Sequence, residues 1–162
     1  MLFRSAVASY RFGLAGGRAT IGVNANYTDT KILNASPVIA ADRERLLELE
    51  RFVPRWKGNA SFTFEGRRIG LTATATYYGD WTDYGANLAN DQTGGAELLA
   101  DLELRYRINS VFRIAVGGEN LFNNYPDRER RAAQIANGIQ YLRFSPIGFN
   151  GGFWYVRGTA TF

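Results

Sequence analysis

The sequence predicts an all-β fold, a transmembrane antiparallel up-and-down β-barrel of which this chain supplies about seven C-terminal strands. Three observations lead to this prediction. Seven segments of the 162-residue chain alternate between apolar and mostly polar residues, as strands with two different faces do. Short and long connections alternate between the segments, and aromatic residues collect near both ends of the apolar faces.

Composition excludes several classes of function. Cys and His are both absent, which excludes disulfides, thiol nucleophiles and histidine-based metal or catalytic sites. The net charge is +4, but the basic residues are scattered, and without a basic stripe or a recognised motif we expect no nucleic-acid partner. The sequence contains no run of about 18 apolar residues, so no transmembrane helix is predicted. The first ten residues, MLFRSAVASY, do not resemble a signal peptide.

The first four predicted strands are clear alternations joined in pairs by short turns. They cover residues 5–12, 19–28, 56–64 and 69–78. The third places Trp56, Ala60 and Phe64 on one face and Lys57 and Thr63 on the other. The turn sequences LAGGR and EGRR join the first strand to the second and the third to the fourth.

The last three predicted strands cover residues 97–107, 112–122 and 154–162. Segment 97–107 is the least decisive, because Leu98, Leu99 and Leu102 would also suit a helix. The turn INSV joins it to segment 112–122. The terminal segment alternates to its last residue, with Trp154, Val156, Gly158, Ala160 and Phe162 on its apolar face.

Three long connections separate these hairpins, at about residues 29–55, 79–96 and 123–152. Short turns on one side and long loops on the other are typical of outer-membrane barrels. Loops of this length are usually functional when a compact domain contains them. The first includes ADRERLLELERF at 41–52, for which a short helix is predicted.

The aromatic residues predict two girdles around a lipid-facing wall. The long-loop ends carry Tyr27, Trp56, Tyr77 and Trp154, and the short-turn ends carry Phe12, Phe64, Tyr106, Phe112 and Phe162. Eight steps along a tilted strand span roughly 20 Å, close to the apolar band of such barrels. A soluble β-sandwich also alternates, but it gives no reason for aromatics to be sorted by height.

Seven strands are an odd number, whereas single-chain bacterial barrels have even numbers. An open sheet in hydrocarbon would leave two edges with unpaired backbone groups. We therefore expect residues before Met1 that supply at least one further strand.

Three stretches resemble the C-terminal barrel region of TonB-dependent outer-membrane receptors. They are VGGENLFNNYPD at 116–127, SPIGFNGGFWYVRGTATF at 145–162 and FVPRWKGNASFTF at 52–64. The most specific part is the Asn120, Leu121, Phe122 box, which from its own chemistry we interpret as structural. The resemblance covers essentially all of residues 1–162 and implies a barrel of about 22 strands with a plugged lumen.

The resemblance also implies a function, energised uptake of a scarce nutrient such as a siderophore complex across the bacterial outer membrane. The implied partners are outer-membrane lipid, the absent N-terminal strands and plug, TonB through that plug, and the barrel-assembly machinery through the C-terminal strand. No cofactor is expected. A small passive porin or structural barrel is the alternative from another class, and a soluble ligand-binding β protein is a further one.

Candidate site residues are few. No catalytic constellation or metal site is predicted, and the acidic loop at 79–92 does not have the spacing of a known calcium loop. An outer-membrane enzyme is therefore the least favoured class. Aromatic and Arg side chains suit an anionic or planar ligand. On this basis, loop residues Trp81, Tyr84, Arg128, Arg130 and Arg131 are the candidate ligand contacts. Charged residues on the polar parity, including Glu103 and Arg105, predict a charged lumen wall.

Overall fold

Seven long strands form one antiparallel sheet in which each strand pairs with the next one along the wall. The structure, a computed structural model, describes residues 1–161, so Phe162 of the predicted girdle lies outside the described residues. The sheet contains β1 (Leu2–Leu14), β2 (Gly17–Asp29), β3 (Trp56–Glu65), β4 (Ile69–Tyr78), β7 (Glu97–Arg107), β8 (Phe112–Glu119) and β9 (Phe153–Ala160). The predicted up-and-down order is confirmed, and 97–107 is a strand rather than a helix.

The long connections contain structure of their own. The first holds α1 (Pro37–Ala41) and α2 (Arg43–Arg51), where Asp42 caps α2 by accepting a hydrogen bond from the Arg45 amide. This confirms the predicted helix. The second holds a separate hairpin of β5 (Trp81–Asp83) and β6 (Gln92–Gly94), and the third holds α3 (Ala132–Ala136). The hairpin was not predicted, because three-residue strands are too short to show a period.

β8 ends three residues earlier than predicted, and the asparagines explain why. Asn120 and Asn123 have φ of 49° and 54°, in the left-handed region that Asn tolerates better than most residues. The Asn120 amide donates to Asp101 Oδ1 at 2.8 Å, and its side chain exchanges hydrogen bonds with the backbone of Asn124. The Asn120, Leu121, Phe122 box therefore turns the chain out of the strand.

The register places the apolar parity of all seven strands on one face of the sheet. One row of paired residues runs through Tyr10, Ile21, Phe62, Ala73, Leu102, Gly118 and Trp154. Residues opposite each other in an antiparallel pair share a face, so every member of this row points the same way. The predicted assignment of faces is confirmed.

No second layer covers the apolar face within residues 1–161. Trp154 and Val156 are each 70% exposed, and Trp56 is 54% exposed. The large apolar side chains that are buried are Trp81, Leu142 and Ile147, and all three lie in the long loops. A soluble β-sandwich would bury the sheet residues instead, so that alternative does not describe this fold. Among the described helices, none is long and apolar enough to cross a membrane.

The strands are staggered across the sheet. Tyr10 is four residues from the short-turn end of β1, whereas Trp154, in the same row, is at the long-loop end of β9. A sheet that closes into a barrel needs this stagger, because its strands tilt relative to the barrel axis. The open sheet therefore has the geometry of part of a barrel wall.

Candidate functional site

The three long loops, residues 30–55, 79–96 and 120–152, pack against one another at one end of the sheet and are called the loop cap below. Trp81 lies at its centre, 2% exposed, and its indole N–H donates to the Arg143 carbonyl at 3.4 Å. Gly94 pairs with Trp81 across the β5–β6 hairpin, and a Cβ at this position would overlap the indole ring. Glycine is therefore required opposite Trp81.

Asp83 joins the three loops through one buried carboxylate. Its side chain has no exposed surface, and it accepts hydrogen bonds from Arg131 at 2.6 Å and from Arg143 at 2.8 Å. Arg143 also contacts Glu44 of α2 at 3.1 Å. Since Asp83, Arg143 and Glu44 come from the second, third and first loops, this cluster links all of them.

A second buried carboxylate, Glu129, organises the third loop. It accepts hydrogen bonds from the side chain and amide of Arg131, and from the Gln92 side-chain amide across the cap. The Arg131 hydrogen bond lowers the pKa of Glu129 to about 2, against the opposing effect of burial. The pKa of Arg131 is raised, first by Glu129 and then by Asp83. Both groups are therefore charged at neutral pH.

The first and second loops are also joined by a two-pronged ion pair. The guanidinium of Arg43 donates to both oxygens of Asp91, at 3.0 and 2.6 Å, and to the Gly85 carbonyl at 2.7 Å. The hydrogen bond from Arg43 holds the pKa of Asp91 below its usual value. A bidentate pair fixes orientation as well as distance, so it holds α2 against the second loop.

An aromatic stack lies in the third loop. The rings of Tyr125, Tyr141 and Phe149 are nearly parallel. The ring centroids of Tyr125 and Tyr141 are 5.9 Å apart, and those of Tyr141 and Phe149 are 5.8 Å apart. The guanidinium of Arg128 lies 6.0 Å from the Tyr141 ring centroid. Tyr125 and Phe149 are 41% and 53% exposed, so the stack presents apolar ring surface beside a cation. The stack could not be predicted from the sequence, because its three aromatic residues show no regular spacing along the loop.

The five predicted ligand contacts divide into two groups. Trp81 and Arg131 are inside the cap, where they hold the loops together. Tyr84 is half-buried with Arg43 beside its ring, and Arg128 and Arg130 are exposed. Ligand contact by any of them stays a prediction. Asp83, Glu129 and Arg143 were not predicted. Asp83 and Arg143 are 60 residues apart in the sequence. Glu129 has a near partner in Arg131, but its contact with Gln92 joins residues 37 positions apart.

The polar face of the sheet carries an ion-pair network, as expected for a charged wall. Glu103 accepts hydrogen bonds from Arg105 at 2.9 Å, Arg157 at 2.6 Å and the Tyr155 hydroxyl at 2.8 Å. Arg105 also pairs with Glu65 on β3, so the network crosses strands from β3 to β9.

The predicted girdle residues that fall within residues 1–161 lie on the apolar face. Tyr27 and Trp56 pair across β2 and β3 with ring centroids 5.0 Å apart. Phe12 and Phe64 both pair with Ala19 near the short turns. Their role as an interfacial girdle stays a prediction, and so does that of Tyr77, Tyr106, Phe112 and Trp154.

These features define the chain as part of a β-barrel wall with structured loops at one end. No protein-family model matches the sequence, and no curated protein matches it. Among solved structures, it is similar to a double mutant of the ferric enterobactin receptor PfeA from Pseudomonas aeruginosa, with a TM-score of 0.60 and 22% identity over 96% of this chain. A single mutant of the same receptor matches with a TM-score of 0.50 and 16% identity over 99% of this chain.

The chain spans only 22% and 31% of the lengths of those two receptor chains. The predicted resemblance to a TonB-dependent receptor barrel is thus confirmed at the level of the fold. It applies to part of such a barrel.

Proposed function

We propose that residues 1–162 are the C-terminal barrel portion of an outer-membrane receptor that takes up a scarce nutrient, such as a siderophore complex, with energy supplied through TonB. The observation that carries the proposal is the fold likeness to a siderophore receptor, together with an apolar sheet face that no protein layer covers within residues 1–161. Lipid is the partner that such a face fits. The proposal assigns no reaction to the chain.

In this proposal the loop cap forms part of the ligand-binding surface. Its exposed side chains combine aromatic rings with cations, above all Tyr125, Phe149 and Arg128. Rings stack on planar groups and guanidinium groups bind anions through charge-assisted hydrogen bonds. A ferric complex of planar, anionic chelating groups has both properties. Trp81, Asp83 and Arg131 would act by keeping this surface in place.

Uptake of labelled iron tests the proposal. In the source bacterium, deletion of the gene is expected to reduce uptake of at least one ferric siderophore from a panel. Uptake of that siderophore by the parent strain should require the proton gradient. Complementation with Tyr141→Ala should restore transport with a raised KM, because the centre of the stack is lost. Tyr10→Ala, which removes an exposed ring from the apolar face, is the matched control and should transport normally.

Two results would contradict the proposal. If deletion left uptake of every ferric complex unchanged but lowered passive entry of small hydrophilic solutes, the chain would belong to a porin instead. The parent strain takes up the ferric complex that the deletion strain does not. If the parent strain still took up this complex after its proton gradient was collapsed, energised transport would be wrong.

A further inference from the structure

The third loop contains both Asn-Gly pairs of the sequence, Asn137–Gly138 and Asn150–Gly151. An asparagine that precedes glycine is especially prone to spontaneous deamidation, because glycine has no Cβ to hinder attack by its own amide nitrogen. The reaction also needs a backbone that is free to bring this nitrogen to the asparagine side chain. The sequence therefore marks two sites of equal chemistry, and their surroundings in the fold distinguish them.

Deamidation of an asparagine requires no enzyme, oxidant or cofactor. The amide nitrogen of the following residue loses its proton to water and attacks Cγ of the asparagine side chain. The new N–Cγ bond closes a succinimide ring, while the Cγ–Nδ2 bond breaks and the amide nitrogen leaves as ammonia after taking up a proton from water. A water molecule then opens the ring at either carbonyl carbon. The product is aspartate or isoaspartate, so a neutral amide becomes a carboxylate.

The end of α3 holds the backbone of Asn137–Gly138 in place. The Gly138 amide donates a hydrogen bond to the Ile135 carbonyl at 2.9 Å. The Ile139 amide donates to the Gln134 carbonyl at 3.0 Å, which closes the helix cap around the glycine. Because its N–H is directed at a carbonyl, the Gly138 nitrogen can approach the Asn137 side chain only after the cap opens.

The backbone at Asn150–Gly151 lacks this restraint. Asn150 is exposed, and within residues 1–161 neither its side chain nor the Gly151 amide forms a hydrogen bond. The nearest hydrogen bond along the chain, from the Gly152 amide to Asn123 Oδ1, follows the peptide group that reacts. Gly151 itself is required, because its φ is 68° and a Cβ would overlap the Tyr125 hydroxyl. The reactive nitrogen is therefore both present by necessity and free to move.

We propose that Asn150 is a site of spontaneous deamidation, and that its product places a carboxylate at the edge of the aromatic stack. Asn150 directly follows Phe149 of the stack, and Gly151 lies against the Tyr125 hydroxyl. Isoaspartate also lengthens the backbone by a methylene between these two contacts, so it shifts the Phe149 ring relative to Tyr125. A negative charge here opposes an anionic ligand of the stack. This effect on binding rests on the proposed function, whereas the reaction itself does not.

Trypsin separates the two Asn-Gly pairs, so each serves as the control for the other. Cleavage after Arg131, Arg143 and Arg157 gives peptides 132–143 and 144–157, with one pair in each. Outer membranes that contain the full chain are incubated at mildly alkaline pH, then unfolded and digested at mildly acidic pH, where the reaction is slow. Mass spectrometry measures the deamidated fraction of each peptide. Peptide 144–157 should convert about tenfold faster, because opening the α3 cap costs Asn137–Gly138 at least one backbone hydrogen bond.

The same incubation in guanidinium chloride shows whether the fold causes the difference. Without the α3 cap, the two peptides should convert at rates within about twofold of each other, because glycine follows the asparagine in both. The proposal is overturned if 144–157 converts no faster than 132–143 in the folded chain. It is also overturned if the folded and unfolded chains show the same ratio of rates, since the cap would then have no part in the selection.

Two charge variants test the effect on the ligand surface. N150D carries the carboxylate of the product and should raise the KM for uptake of the ferric complex about threefold, as expected for one exposed charge. N137D adds the same charge at the end of α3 and should leave this KM unchanged. An equal effect of both variants, or no effect of N150D, would show that the carboxylate does not act on the stack. Failure of the proposed function is seen separately, as unchanged iron uptake in the deletion strain, and leaves the peptide measurement unaffected.

Discussion

At the scale of single residues, the buried carboxylates of the loop cap explain its order. Asp83 has no exposed side-chain surface and faces two arginines, of which Arg131 is only 13% exposed. Removing one partner of such a cluster leaves the opposing charge without its partner in a poorly solvated place, which is more costly than losing a surface ion pair. The cap therefore depends on Asp83 more than on any exposed acid.

Replacing Asp83 with Asn is expected to loosen the loop cap, at a cost of about 3–5 kcal/mol. The amide keeps the shape of the side chain but loses the charge that holds Arg131 and Arg143. Limited trypsin digestion should then cut the long loops faster, after Arg43, Arg131 and Arg143. Asp80→Asn is the control, because Asp80 is exposed beside the same hairpin. Equal digestion of both variants would show that the cluster does not hold the loops.

At the scale of elements, the seven long strands could be predicted and the loops could not. The strands repeat a period-2 pattern over eight or more residues, and their faces follow from parity alone. β5 and β6 have three residues each, and their positions depend on Trp81 and on ion pairs between distant loops. Such contacts have no local signature. Only α2, with its Asp42 cap and longer length, was visible in the sequence.

The assignment of faces on β4 predicts a sharp difference between neighbouring positions. Ala73→Arg is expected to block assembly into outer-membrane vesicles or bilayers, because a charge on the lipid side costs about 2–4 kcal/mol near the midplane. Thr74→Arg places the same side chain on the polar face and should be far milder. The fraction of protein that becomes resistant to unfolding by sodium dodecyl sulphate without heating measures assembly. Equal tolerance at both positions would contradict the assigned orientation.

At the scale of the whole molecule, the three tryptophans lie in two different environments. Trp56 and Trp154 are on the exposed apolar face, whereas Trp81 is buried in the loop cap. If lipid covers the apolar face, the first two rings touch acyl chains or headgroups and the third does not.

Single-tryptophan forms of the chain in bilayers of brominated lipid test this arrangement. Each form keeps one tryptophan and has Phe at the other two positions. Bromine on the acyl chains should quench the fluorescence of Trp56 and Trp154 strongly, and that of Trp81 weakly, because quenching requires contact. Strong quenching of Trp81, or none at Trp154, would mean that this face of the sheet does not meet lipid.

The stagger of the strands has a consequence for how substitutions on the wall are compared. Ala73 in the middle of β4 and Trp154 at the start of β9 belong to one row of hydrogen-bonded neighbours. Such a row climbs obliquely around a tilted wall, so its members occupy different depths of the surrounding medium. Residues in one row need not share a dielectric environment. A substitution that is harmless at one end of a row can therefore be severe in the middle of it.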